Sequence, residues 1–520
     1  MLTLDLHLYQ EEAVTAFIER GNMLLAFDMG LGKTLTSIGA AEELLGQGEI
    51  DQTLIVVPSG LKLQWAAALA TRTDMPTQTV RIKGEFFEIP EEQYCVVVDG
   101  SPQRRRQQYA MIKELKPQYV IAGYRTVISE LRTFKRMKPG MVVLDEATVI
   151  KSPAAEVTRC IRELCAPYRM ALTGTPVDKE LEDLFHIMAW VDEDLLGDFR
   201  YFDQAYIERD IFGQVKRYKN TDLLHRKVAP ALIRKRSTDP DVAPYMPRLR
   251  HERWAVQMDA RTAEAYRRVA ADLAKELAQL PARGGFDVNA HYSGIDENTS
   301  AGRVMAVHIA AQQLLTEPEL LFDSETRYAK RLVDEGVIDG LLSAKRARLD
   351  MELSRILADE SKKVVLVTRW RGVVDRLANI WPGRSVTYHG GLSPAEKQSA
   401  VNRFQDDADT RLFIMSHAGA YGVDLPAANV LINLDPARSP GQRDQINHRH
   451  VRAGSTNAEV IVADLVTEGT VEERAYDRLD LRGRVARAVV DGKGAKNGEI
   501  ENDVQSLTAH VHAVLEDVTK

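Results

Sequence analysis

A chain of 520 residues with 44% hydrophobic side chains holds enough apolar material for roughly two to four domains, each with its own core. The net charge of -7 excludes a uniformly basic nucleic-acid binder, so any polyanion has to be held by local patches such as QRRRQQ (103–108), RTFKRMK (132–138), IRKR (233–236) and NHRHVR (447–452). Cys95, Cys160 and Cys165 form no CxxC pair, no apolar run nears the ~18 residues of a membrane span, and MLTLDLHLYQEEAV lacks a signal-peptide pattern; zinc ribbons, disulfide frameworks and membrane insertion are set aside in favour of a reducing interior compartment.

The first predicted elements are a strand over Met23–Phe27 and a helix opening at Thr34, with Gly30 and Gly32 in the turn between them. Short β-branched runs follow: TLIVVPS (53–59), YCVVVDG (94–100), YVIAGY (119–124), MVVLDEA (141–147) and MALTGTP (170–176). Each ends in small or polar residues, as buried parallel strands do where they deliver loops at their C-terminal ends. Amphipathic stretches such as GLKLQWAAALATR lie between them, and the alternation predicts an α/β sheet with its ligand site along the strand ends.

From about 191 to 340 the pattern turns helical. Tyr266, Val269, Leu273, Leu277 and Leu280 form one stripe at helical spacing that packing alone explains, and 282–303 reads as a polar, glycine-containing loop. A second strand-and-helix series comprises KVVLVTRW (363–370), SVTYHG (385–390), RLFIMSHAGA (411–420), NVLINLD (429–435) and EVIVADLV (459–466). The predicted architecture is therefore α/β, with two parallel-sheet lobes at 1–190 and 341–490, a helical insertion at 191–340 and a tail at 491–520.

Chemistry concentrates at three places. In LLAFDMGLGKTLTS (24–37), Phe27 stands where the phosphate-loop pattern has its first glycine, but Gly30, Gly32, Lys33 and Thr34 remain. A glycine turn into a helix aims backbone N–H groups at an anion, Lys33 supplies charge for the β/γ-phosphates, and Thr34 offers a hydroxyl to magnesium. In MVVLDEAT an acidic pair ends an apolar strand: Asp145 is the candidate metal ligand and Glu146 the candidate base for the attacking water. In QINHRHVRAGS, Arg449 and Arg452 are three apart and share a helical face; they are either two exposed arginines or a pair of fingers for the γ-phosphate.

Taken in order, Tyr9-Gln10, DMGLGKT, IVVPSGLKLQW, IAGYRTV, DEAT, LTGTP, LVTRW, YHGG, SHAGAYGVDLPAANVLINLD and QINHRHVRAG resemble the motif series of superfamily 2 helicase-type ATPases. ALIRKRSTDPDVAPYMP, LLTEPELL, SAKRARLDMEL and VADLVTEGTVEERA narrow the resemblance to the SWI/SNF-type branch of double-stranded DNA translocases. It covers most of residues 5–480 and implies two RecA-like lobes, with ATP and Mg2+ as cofactors. It also implies a duplex DNA partner held by its backbone and a cytoplasmic location, nucleoid-associated or nuclear.

The resemblance further implies site roles. Gln10 would read the adenine; Gly30, Gly32, Lys33 and Thr34 would hold phosphates and magnesium; Asp145 and Glu146 would be the acidic pair, and Arg449 and Arg452 the fingers. Gly422 and Asp424 would lie near the ribose, and Gln445 would order the arginine helix. Pro58, Ser59, Tyr124, Arg125, Thr368, Arg369, His389, Gly390 and Ser416 would fall in or beside motifs that touch the nucleic-acid backbone. Thr148, Lys179, Asp424 and Arg438-Ser439-Pro440 depart from the branch pattern without removing a phosphate, metal or finger ligand. A strand-separating DNA or RNA helicase and a nonenzymatic ATP-binding scaffold are the alternatives to a translocase.

Overall fold

The computed structural model describes residues 2–82, 85–152, 155–178, 180–210, 213, 215–280, 295–417, 423–450, 457–495, 497–502, 510–512 and 515. Its first lobe is built on a parallel sheet of β1 (Asn22–Phe27), β2 (Thr53–Val57), β3 (Cys95–Val98), β4 (Tyr119–Gly123), β5 (Met141–Asp145), β6 (Tyr168–Leu172) and β7 (Leu232–Lys235), in the order β7-β1-β6-β5-β2-β4-β3. Its β-branched runs are buried on both faces: Leu54 and Val56 join one apolar layer while Ile55 and Val57 join the other.

The second lobe repeats the plan. Strands β8 (Arg248–Val256), β9 (Val364–Thr368), β10 (Ser385–Tyr388), β11 (Leu412–Ser416), β12 (Val430–Asn433) and β13 (Glu459–Thr467) form a parallel sheet in the order β8-β13-β12-β9-β11-β10. Val364 and Leu366 of β9 face one core, Val365 and Val367 the other. The expected pair of parallel-sheet lobes is thus present, with every predicted strand run in place.

The segment 191–340 departs from the helical expectation. It contributes β7 to the first sheet and β8 to the second, and an antiparallel pair, Ile207–Arg209 with Val215–Tyr218. Both sheet strands sit at edges, where LIRK is only partly buried and much of RLRHERWAV is exposed, so they carry charges that obscure their strand character. The helices Ala260–Leu277 and Ser300–Thr316 do pack as a separate core around Tyr266, Leu273, Val307 and Leu314. The second helix takes residues 300–303 from the stretch read as loop, while 282–294 lies outside the described residues.

The chain crosses between lobes twice. Residues 236–247 carry it from the edge of one sheet to the edge of the other. Helix Val471–Val490 carries it back: Glu472, near its start, pairs with Lys345 of the second lobe at 2.6 Å, whereas Leu481, Val485, Val489 and Val490 enter the first lobe's core beside Leu224 and Val228. The expected boundary at 490 therefore falls after a helix shared by both lobes, and in the tail Ile500–Glu501 pairs with Val215–Tyr218 of the insertion. Among the described residues no helix is long and apolar enough to cross a membrane, and the three cysteines are free.

Candidate nucleotide and nucleic-acid site

The C-terminal ends of the first sheet's strands place the phosphate-loop residues. β1 stops at Phe27, Gly30 and Gly32 take φ of 81° and 78°, and Lys33 opens the helix Lys33–Gln47. Gly32 is required twice over, because a Cβ there would lie 2.3 Å from Gln10 Nε2 as well as straining the backbone. Lys33 Nζ donates to the carbonyls of Phe27 (2.9 Å) and Asp28 (3.2 Å), folding back over the concavity that the turn creates. Gly174 of LTGTP closes it from the side, where a Cβ would sit 3.6 Å from Lys33 Nζ.

Gln10 packs under the phosphate loop. It is 2% exposed, its Oε1 accepts the His7 amide at 3.0 Å, and its Nε2 donates to the Leu31 carbonyl at 3.1 Å. Tyr9 donates its hydroxyl to the same carbonyl at 3.1 Å. Each amide atom of Gln10 has a protein partner, so in this conformation the side chain braces the phosphate loop.

The acidic pair ends β5. Asp145 Oδ2 accepts the Trp65 indole N–H at 2.8 Å, its Oδ1 accepts the Glu146 amide at 2.9 Å, and the Tyr124 hydroxyl donates to its carbonyl at 2.7 Å. Glu146 is held at φ 51°, a left-handed conformation that non-glycine residues rarely adopt and that turns its side chain off the strand direction. Burial and then the neighbouring Asp145 charge push the Glu146 carboxyl up to about 7, against the pull of Lys33, Arg449 and a hydrogen bond from Gln445. Burial also raises Asp145 and lowers Lys33, whose charge the three carboxylates Glu146, Asp145 and Asp28 support.

Gln445 and Arg449 come from the second lobe, on and just beyond helix Pro440–Asn447, so the two lobes meet at Glu146. Arg449 is 8% exposed, with Nη1 3.4 Å from the Val423 carbonyl and 4.0 Å from Asp424 Oδ1. Asp424 is exposed at the mouth of the cleft. Arg452 and Gly422 lie outside the described residues.

Two supports escaped the sequence reading. Trp65, in the IVVPSGLKLQW motif, orients the metal-ligand candidate. Asp178, after LTGTP, accepts the Gly441 amide across the cleft at 2.9 Å and also bonds Ser439 and Lys151, thereby capping the helix that carries Gln445. The signal for Asp178 was its place one residue before Lys179, which itself lies outside the described residues.

The nucleic-acid candidates line the neighbouring strand ends. Pro58 and Ser59 follow β2, and Tyr124 and Arg125 follow β4; Ser59 Oγ lies 3.1 Å from a Cβ placed on Gly123, so the two turns touch, with Ser59 and Arg125 exposed. In the second lobe Thr368 and Ser416 are paired at the ends of β9 and β11, and His389 and Gly390 follow β10. Thr368 is corrected to a supporting role: it has 0% exposure and its hydroxyl donates to Asp435 at 2.6 Å. Tyr124 is likewise engaged within the fold through Asp145. Arg369 is tied to Gln312 of the insertion at 2.7 Å and to the Pro436 carbonyl at 3.0 Å; His389 and Ser416 are buried, and Gly390 is exposed.

The chain is 25% identical over 480 residues to the mouse SWI/SNF-related matrix-associated actin-dependent regulator of chromatin subfamily A member 1, covering 90% of this chain and 41% of that protein. It is 24% identical over 519 residues to the DNA repair protein rhp54 of Schizosaccharomyces pombe, covering 92% and 57%. It thus spans about two fifths to three fifths of these relatives' lengths. In fold it is similar to the Pyrococcus furiosus Hef helicase domain, with a TM-score of 0.55, 17% identity and coverage of 90% and 97%. Residues 345–455 match the helicase conserved C-terminal domain, and residues 9–320 match the SNF2-related domain: the chain belongs to the SNF2-related family.

Proposed function

We propose that the chain is an ATP-dependent translocase on duplex DNA. The observation that carries this reading is the meeting of Glu146, from the first lobe, with Gln445 and Arg449 from the second, beside Lys33. A nucleotide placed there is held by one lobe and completed by the other, so hydrolysis and lobe closure are one event.

Phosphates would displace Lys33 Nζ from the Phe27 and Asp28 carbonyls and take the N–H groups at the head of helix Lys33–Gln47. The Thr34 hydroxyl and the Asp145 carboxylate, the latter held in place by Trp65, fit a magnesium ion with its water shell; when bound, Mg2+ neutralises charge between the β- and γ-phosphates. Glu146 takes the proton of the water that attacks the γ-phosphorus as the bond to the β–γ bridging oxygen breaks, and the raised carboxyl suits it to accept that proton near neutral pH. Arg449, with Arg452 as its expected partner, neutralises charge on the transferred group. Loss of the γ-phosphate removes what holds Arg449 against the first lobe, and the lobes part.

The track would run along the strand ends, over Pro58, Ser59 and Arg125 in one lobe and Arg369, Gly390 and their neighbours in the other. Backbone contacts carry little sequence information, so stepping should be sequence-independent and weakened by salt. The test measures ATP hydrolysis without nucleic acid and with duplex DNA, single-stranded DNA and RNA, alongside triplex displacement and strand separation. Duplex stimulation with triplex displacement and no unwinding is the expected result. Preference for single strands or RNA, or efficient unwinding, would replace the translocase with a strand-separating helicase, and absence of hydrolysis under every condition would leave a scaffold.

A further inference from the structure

One side chain stands between the phosphate loop and the far end of the shared helix. Arg234, on edge strand β7, donates from Nη1 to the Ala26 carbonyl at 2.8 Å, pairs through Nη2 with Asp28 at 2.7 Å, and pairs through Nε with Asp491 at 2.9 Å. Asp28 belongs to the loop that carries Lys33; Asp491 is the residue directly after helix Val471–Val490 and is only 4% exposed at its side chain. A single guanidinium is therefore shared between the nucleotide loop and the helix that arrives from the second lobe. We propose that Arg234 is a positioning residue that transmits the state of the phosphate loop through Asp491 to this helix, and so to the second lobe.

Asp28 can pass on a movement because all its polar groups are engaged. Its amide donates to the Lys235 carbonyl at 2.9 Å, its carboxylate takes the Ser237 amide at 3.0 Å besides Arg234, and its carbonyl holds Lys33 Nζ at 3.2 Å. When phosphate draws Lys33 away, the carbonyl loses a charged donor while the carboxylate stays clamped, so the displacement appears at Arg234. The guanidinium is planar and its donors are fixed in direction, which means that rotating it toward one carboxylate worsens its angle to the other. Asp28 also faces His448 of the finger segment; burial pushes its carboxyl up, but Arg234, His448 and Lys33 together hold it below the ordinary range.

Beyond Asp491 the path is a stiff one. The helix of 20 residues is about 30 Å long. Near its other end Glu472 meets Lys345, each side chain 1% exposed, and Lys345 also donates to the Leu434 carbonyl at the end of β12. Each end of the helix is thus fixed by a buried ion pair in a different lobe, and a shift at one end is not absorbed by solvent-exposed side chains. Arg236 forms a longer ion pair with Asp491, at 3.7 Å, beyond hydrogen-bond distance, so of the two Arg234 alone hydrogen-bonds this carboxylate.

This inference rests on the translocase reading for its mechanical output, but its test has a readout that does not. Asp491→Asn keeps the shape and removes the charge. It is expected to keep the ATP KM near the parent value, lower the duplex-stimulated kcat by about tenfold, and raise the ATP consumed per triplex displaced. Hydrogen exchange over 485–495, which should change on adding a non-hydrolysable ATP analogue to the parent protein, should not respond in this variant. Arg234→Lys, whose ammonium can serve only one of the two carboxylates at full strength, should behave the same way, and the double variant no worse than either. The proposal falls if both single variants retain the exchange response, or if kcat drops by one common factor with and without duplex alongside a lower Tm, as a mere staple would give. A parent protein that displaces no triplex would overturn translocation, and the exchange response would still decide Arg234.

Discussion

The two halves of the nucleotide site are built differently. In the first lobe Asp145, the phosphate loop and Lys33 are set by short contacts within that lobe: Trp65 and the Glu146 amide fix Asp145, Gln10 and Tyr9 fix the loop at Leu31, and Lys33 lies on its own loop carbonyls. In the second lobe Arg449 follows a helix that is capped by a residue from the opposite lobe, Asp178, and it faces Glu146 across the cleft. The contrast fits the proposed split between a preset half that binds and a delivered half that turns over. The proposed translocase needs that separation, because a site complete within one lobe would hydrolyse ATP without moving anything.

The sharpest way to break the contrast is to remove the fingers. Arg449→Ala and Arg452→Ala should each retain ATP binding and lose hydrolysis by about 10³-fold or more, measured as single-turnover kcat against nucleotide-analogue affinity. Normal turnover in either variant would return that arginine to the surface. In the preset half, Glu146→Gln should lower kcat by about 10³-fold with binding intact, whereas Lys33→Ala should lose binding as well. If Lys33→Ala bound ATP normally, the assignment of binding to the first lobe would fail.

A smaller effect is expected at the cap. Asp178→Ala removes the acceptor for Gly441, and an unpaired helix N-terminus costs about 1 kcal/mol; kcat should fall by roughly fivefold while ATP affinity holds. Equal losses in both quantities would place Asp178 in the binding half instead.

A contrast outside the site lies in acid stability. Burial holds His308, His417 and His450 of the insertion and second lobe down to about 3, whereas the first lobe buries one such group, His186, held near 4 by burial and Arg162. A histidine whose folded value is depressed favours the folded state above its unfolded value of about 6.5 and loses that advantage as pH falls below it. At pH 5 the loss is about 2 kcal/mol per fully buried histidine. The second lobe should therefore lose amide protection before the first between pH 6.5 and 4.5, and simultaneous loss would contradict this.

The sequence made the strand ends legible because their chemistry is local. A glycine turn, an acidic pair after an apolar run and two arginines three apart need only a few neighbouring residues to declare themselves. Partnerships across the fold were hidden. Gln10 looked like a base reader, and its hydrogen bonds to the His7 amide and the Leu31 carbonyl, which brace the loop, are formed only in the folded chain. β7 and β8 were absorbed into a helical insertion because LIRK is short and RLRHERWAV carries a run of charged residues, so neither shows the β-branched apolar run of the interior strands. Helix Val471–Val490 has an unremarkable amphipathic pattern, and nothing within it says that its two ends serve different lobes.

That shared helix also sets an order of events during synthesis. When a ribosome has released the residues of β1 to β7, the core that covers one face of their sheet still lacks Leu481, Val485, Val489 and Val490, which are made more than two hundred residues later. Until they arrive, Leu224 and Val228 stay partly wet and the first lobe is left with an open apolar seam. The nascent chain is then at its most adhesive while the second lobe is being made, and a product cut short before 471 should be aggregation-prone rather than a working half-motor.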